Sequence, residues 1–169
     1  MKPFIERLKS MLSAPKPAAD PPSAGDPLNY DQFIHLDAED LAEQGIAAAY
    51  RELTPQLLQY TRSPIEVTEE IDSDSGSYAV RAAELRFPIW GRGTSNRDGW
   101  QRATVAFFAL VNANLKNSSH KFYALYGGND LGGLFLTEEE FAAARQAIKK
   151  QSEWPWVPVD EPPHYGCPN

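Results

Sequence analysis

The chain has 169 residues, of which 42% are apolar and 23% charged, and its formal net charge is −7. This length suits one hydrophobic core, so we expect a single domain with polar ends. No apolar run approaches the roughly 20 residues that a membrane-spanning helix needs, so no such span is expected. Cys167 is the only cysteine, which excludes an internal disulfide and a cysteine-based zinc cluster.

Two segments precede the expected domain. Residues 1–12 carry apolar side chains at helical spacing and predict a short amphipathic segment. Residues 13–30 are rich in proline and alanine and predict an extended linker. Because Glu6, Arg7 and Lys9 interrupt any apolar signal-peptide region, we expect a cytoplasmic protein.

The domain itself is expected over residues 31–150 and begins with a helix. Asp37 is a suitable N-cap, and apolar residues from Leu41 to Leu57 recur every three or four positions. Gly45 should weaken this helix and Pro55 should kink or restart it.

Two strands follow this helix. The first covers "IEVTEEID" (65–72), with Glu66, Thr68 and Glu70 on an acidic outer face. After the turn "SDSGS", the segment Tyr78 to Trp90 predicts a strand whose alternation changes phase at Ala83–Glu84, indicating a bulge or a second turn.

The second half predicts a buried helix, a β-hairpin and a last helix. Asp98 is expected to cap the buried helix, and the hairpin runs through "FYALYGGNDLGGLFL". Thr137 and Glu140 form a capping box for the last helix. Residues 151–169 are rich in proline and aromatic residues and predict a strap across the domain. The predicted fold is therefore α+β, in the order α-β-β-α-β-β-α, with a mainly antiparallel sheet packed against helices.

The sequence contains no complete motif for binding a cofactor or a metal. The glycines at 127, 128, 132 and 133 lack the lysine, hydroxyl and following helix of a phosphate loop. The "DSDSG" run at 72–76 has its glycine one place too early for a calcium loop. We therefore expect no cofactor, no metal and no catalytic residue. An alternative is a small hydrolase whose carboxylates, drawn from Glu69, Glu70, Asp72, Asp74 or Asp130, assemble only in three dimensions.

Charge is distributed unevenly along the chain. Residues 31–80 contain eleven acids and two bases, whereas residues 81–126 contain two acids and seven bases. Such asymmetry favours a charged partner. A second alternative is a nucleic-acid binder that uses the basic middle segment with aromatic stacking groups, although the acidic total makes this the weaker interpretation. Its candidate residues are Arg81, Arg86, Arg92, Arg97, Arg102, Lys116, Lys121, Tyr78, Phe87 and Trp90.

Three stretches carry a resemblance to a known class of proteins. They are "WQRATVAFFALVNANL", "KFYALYGGNDLGGLFLTEEEF" and "EWPWVP". In layout, the chain from about Phe33 to Pro158 resembles small bacterial immunity proteins of polymorphic toxin and type VI secretion systems. The resemblance implies a non-enzymatic protein that binds and neutralises a cognate toxin.

An acidic surface on a rigid scaffold could fill the basic cleft of such a toxin. The hypothesis is a partner-facing patch on the acidic strand and the hairpin tip. Its residues are Glu66, Glu69, Glu70, Asp72, Asp74, Asn129 and Asp130.

Overall fold

The computed structural model describes residues 27–161. Within them the fold is an α+β single domain with two separate antiparallel sheets. The predicted short segment at 1–12, residues 13–26 of the predicted linker and the last eight residues of the predicted strap lie outside the described residues.

Sheet 1 has the strand order β1–β6–β5, and sheet 2 has the order β2–β3–β4. The strands are β1 (Ile34–His35), β2 (Val67–Asp72), β3 (Ser77–Ala82), β4 (Leu85–Trp90), β5 (His120–Leu125) and β6 (Gly132–Thr137). The helices are α1 (Ala38–Glu43), α2 (Ile46–Leu57), α3 (Asn96–Asn114) and α4 (Glu138–Ala147), with short 3₁₀ turns at Tyr30–Gln32, Gly128–Asp130 and Gln151–Glu153.

The predicted element order is not the observed one, because a short strand, β1, precedes the helices and because one helix and one strand are each divided. Gly45 has a φ of +105°, which a helix cannot contain, so the first helix splits there into α1 and α2. Pro55 does not restart the helix: the amide of Leu58 donates to the carbonyl of Thr54 at 2.9 Å, which continues α2 past the proline. The phase change at Ala83–Glu84 is a second turn, which separates β3 from β4.

Helix α3 joins the two sheets. It contacts both β4 and β5, and ten of its residues are buried, more than in any other described helix. Its N-cap is Ser95 and not the predicted Asp98, because the serine hydroxyl accepts the amide of Asp98 at 3.2 Å. Serine fits this position because a short side chain reaches the third amide of the helix.

The core has two parts, one on each face of sheet 1. Phe122, Phe135 and the buried side of α3 belong to the larger part, which extends to sheet 2. Tyr123 and Leu134 face α4 in the smaller part. The predicted capping box at Thr137 is confirmed, because both of its reciprocal hydrogen bonds are present.

The glycines of β6 allow close packing. A Cβ atom at Gly132 would lie 1.9 Å from the ring of Phe33, and one at Gly133 would lie 2.1 Å from the ring of Phe122. Gly128 has a φ of +64°, which suits the turn before β6. These glycines therefore serve packing and turn geometry in the hairpin.

Candidate functional site: an acidic groove between two helices

A groove of about 400 Å³ lies between α1 and α2 and is open to solvent. Its floor and walls include the apolar side chains of Leu36, Leu41, Ala48 and Ala49. Three carboxylates, from Asp37, Asp40 and Glu52, also line it, together with His35, Gln44, Gly45 and Asn129. No lysine or arginine of residues 27–161 lines this groove, so the described lining is acidic.

Helix periodicity explains how the carboxylates come together. Asp37, Asp40 and Gln44 are spaced by three and four positions, so they lie along one side of α1. Ala48 and Glu52 are four apart on α2 and lie along one side of that helix. The break at Gly45 turns the chain between them, so that the two helix faces form the two walls.

The first wall is fixed by Asp37. Its Oδ1 accepts the amides of Glu39 and Asp40 at 2.8 and 3.3 Å, which confirms the predicted N-cap. Its Oδ2 accepts a hydrogen bond from Nδ2 of Asn129 at 3.1 Å, and the same Nδ2 lies 3.4 Å from Oε2 of Glu39. Asn129 therefore ties the turn before β6 to the start of α1.

The second wall is fixed by residues that are distant in sequence. Gly45 has no side chain to cap α2. In its place, the hydroxyl of Tyr78 accepts the amide of Ile46 at 2.9 Å, and Oε1 of Glu69 accepts the amide of Ala47 at 3.1 Å. The Tyr78 hydroxyl also donates to Oε1 of Glu69 at 2.7 Å. Sheet 2 thus supplies the cap that α2 lacks.

Burial raises the pKa of the Tyr78 hydroxyl well above its ordinary value, and the neighbouring carboxylate of Glu69 raises it further. The hydroxyl therefore remains protonated and keeps its role as donor to Glu69 throughout the physiological pH range. No local sequence pattern indicates this cap, because residues 46, 69 and 78 meet only in the folded chain.

Glu70 and Asp72 are also occupied by the fold. Glu70 forms ion pairs with Arg86 and Arg81, each at 2.8 Å. Hydrogen bonds from Arg86 and Arg81 hold the pKa of the Glu70 carboxyl below its usual range. Asp72 caps its own turn, and hydrogen bonds from the Ser75 hydroxyl and backbone and from the Asp74 backbone lower its pKa.

The hypothetical patch is thus distributed over different environments. Asn129 lines the groove. Glu69 borders it, because a Cβ atom added to Gly45 in the groove lining would lie 2.7 Å from Oε1 of Glu69. Glu66, Asp74 and Asp130 are exposed. Of the seven residues proposed from the sequence, Asn129 alone is among those that line the groove.

The residues proposed for nucleic-acid binding likewise lie in different environments. Arg81 and Arg86 are compensated by Glu70, and Arg102 lies 3.4 Å from the hydroxyl of Thr94. Tyr78 is buried, and the indole of Trp90 donates to the carbonyl of Ala42 at 2.9 Å and packs beside Gly99. These two rings are therefore committed to the fold and do not form a stacking platform.

Within residues 27–161, no cluster of three or more histidine, cysteine, aspartate or glutamate side chains could hold a metal ion. In the same part of the chain, none of the helices combines the length and apolar character required to span a membrane. No protein-family model, curated protein or solved structure matches the chain at a significant level.

Proposed function

We propose that this protein is a protein-binding module whose α1–α2 groove takes a basic region of its partner. The observation that carries the proposal is a groove with three carboxylates and, within residues 27–161, no lysine or arginine in its lining. Ion pairing supports it by contrast: Glu70 of β2 is already paired with Arg81 and Arg86, whereas Asp40 and Glu52 form no ion pair within residues 27–161.

The lining suits lysine and arginine side chains. Their aliphatic stems can lie on Leu41, Ala48 and Ala49 while the cationic ends reach Asp40 and Glu52. Uncompensated acids at an exposed site chiefly accelerate association and select against wrong partners. This behaviour fits an immunity-type protein that must capture a basic toxin quickly, which is the role that we propose.

The proposal is tested with the product of the adjacent gene, co-expressed and then purified with the full chain. The variant Asp40→Asn/Glu52→Gln removes two charges from the groove. The matched control Glu84→Gln/Glu139→Gln removes two exposed charges elsewhere. We expect the groove variant to weaken the complex about tenfold, mainly through slower association, and the control to change it by less than about twofold.

Affinity and rate are measured by surface plasmon resonance at low and physiological salt. The wild-type complex should weaken as salt rises, because exposed charges are screened. Equal effects of the two double variants, or the absence of a complex at micromolar concentration, would contradict the proposal.

A further inference from the structure

The four sheet edges of the fold are protected unequally. In sheet 1, β1 is only two residues long, and β5 is covered where the backbone of Ala124 pairs with Trp156 at 2.8 and 2.9 Å. In sheet 2, β4 contains Pro88. Short strands, covering segments and prolines are the usual means of blunting an edge.

Among the described residues, the edge at β2 has none of these three protections. It is six residues long and contains neither proline nor lysine. Within residues 27–161, its backbone pairs only with β3. Because alternate residues of an edge strand direct their amide and carbonyl groups away from the sheet, β2 presents a row of free hydrogen-bonding groups.

The side chains of this edge indicate the chemistry of a partner. Ile71 is 70% exposed, the highest value among the exposed large apolar residues. Glu66 and Asp74 flank the strand, are exposed and make no ion pair in the described part of the chain. A strand added to this edge would therefore contact the apolar side chain of Ile71, with an acidic side chain, Glu66 or Asp74, beyond each end of β2.

A second copy of the chain fits this edge poorly. Antiparallel self-pairing centred on the strand places a central residue opposite itself, because the twofold axis keeps each face of the sheet on the same side. Glu69 would therefore lie opposite Glu69, or Glu70 opposite Glu70, and like charges in opposite positions destabilise a pair of strands. Charge complementarity instead favours lysine or arginine on the added strand.

We propose that the outer edge of β2 binds an extended, basic polypeptide segment as a fourth strand of sheet 2. Main-chain hydrogen bonds hold the segment, Ile71 supplies an apolar contact, and the flanking acids select for basic side chains. This surface lies outside the α1–α2 groove, and its test does not depend on the function of the groove.

The test uses the full chain and a short peptide that alternates lysine with valine or threonine. One control peptide carries glutamate in place of lysine, and another is N-methylated along its centre so that it cannot form strand hydrogen bonds. We expect the lysine peptide to shift the amide NMR signals of Val67–Asp72 and to bind at least about tenfold more tightly than either control.

Two variants of the protein separate the edge from general charge effects. Ile71→Lys places a lysine on the β2 edge, whereas Leu85→Lys adds the same charge to β4; both positions are exposed, so both variants should fold. We expect Ile71→Lys to abolish most of the binding and Leu85→Lys to reduce it by less than about threefold.

Four results would overturn the proposal. The first is equal binding of the N-methylated and unmodified peptides. The second is a response centred on Asp40, Ala48 and Glu52 rather than on β2. The third is no binding at about 1 mM peptide. The fourth is dimerisation of the free protein through β2 in sedimentation.

Discussion

At the scale of single residues, Tyr78 connects the two parts of the molecule that shape the groove. Its hydroxyl accepts from Ile46 in α2 and donates to Glu69 in β2. Tyr50 provides a comparison, since it is also buried but its hydroxyl has no hydrogen-bond partner among the described residues. Asn114 and Ile65 lie near the Tyr50 hydroxyl but are bonded to each other at 2.7 Å.

This contrast yields a prediction for two chemically identical substitutions. Tyr78→Phe leaves the amide of Ile46 unsatisfied and should lower the free energy of unfolding by about 1–3 kcal/mol. Tyr50→Phe removes a hydroxyl that has no hydrogen-bond partner among the described residues, and it should change the free energy of unfolding by less than about 1 kcal/mol. Chemical denaturation at neutral pH measures both values. Equal losses in the two variants would show that the Tyr78 bonds do not cap α2.

At the scale of the secondary-structure elements, helix caps formed by neighbouring residues could be predicted from the sequence, whereas a cap formed by distant residues could not. Asp37 and Thr137 cap helices through neighbours two or three residues away, so the sequence predicted both. The start of α2 depends on Glu69 and Tyr78, which are 22 and 32 residues from the amides they accept. No local pattern indicates such contacts, so the division of the first helix was not predicted.

The ion pairs of Glu70 with Arg81 and Arg86 stabilise the outer face of sheet 2. Because the pKa of Glu70 is lowered in the folded chain, its stabilising contribution is present above its unfolded pKa of about 4.3 and is lost as pH falls through the folded value. At neutral pH, Glu70→Gln should therefore be less stable than the wild type. The difference should shrink as pH falls from about 5 to about 3.

Thermal unfolding across this pH range provides the measurement. Glu66→Gln is the matched control, because Glu66 lies one residue before β2, is exposed and has no ion pair in the described residues. The control should differ little from the wild type at any pH. A Glu70→Gln difference that stays constant down to pH 3 would contradict the role of the ion pairs.

At the scale of the whole molecule, the uneven charge of the chain does not translate directly into two charged surfaces. The sequence indicated an excess of acids over residues 31–80. Folding then commits some of them to caps, as with Asp37 and Glu69, and others to ion pairs, as with Glu70. Which acids remain available to a partner is decided by contacts that composition and spacing do not contain.

The groove illustrates the same limit. Its lining combines α1, α2 and Asn129, and Asn129 is 92 residues from its partner Asp37. Asn129 is a predicted patch residue because it lies at a hairpin turn, and this residue does line the groove. Asp40 and Glu52 were not predicted, because their shared face exists only after Gly45 breaks the helix.

The central claim is that a protein partner occupies the groove, and hydrogen exchange tests it most directly. Exchange is measured by mass spectrometry on the full chain, alone and in complex with the partner obtained by co-expression. We predict slower exchange in α1, in α2 and in the turn that contains Asn129 when the partner is bound. Unchanged exchange in both helices, with protection confined to residues 91–99, which carry Arg92 and Arg97 between β4 and the first turn of α3, would contradict the account.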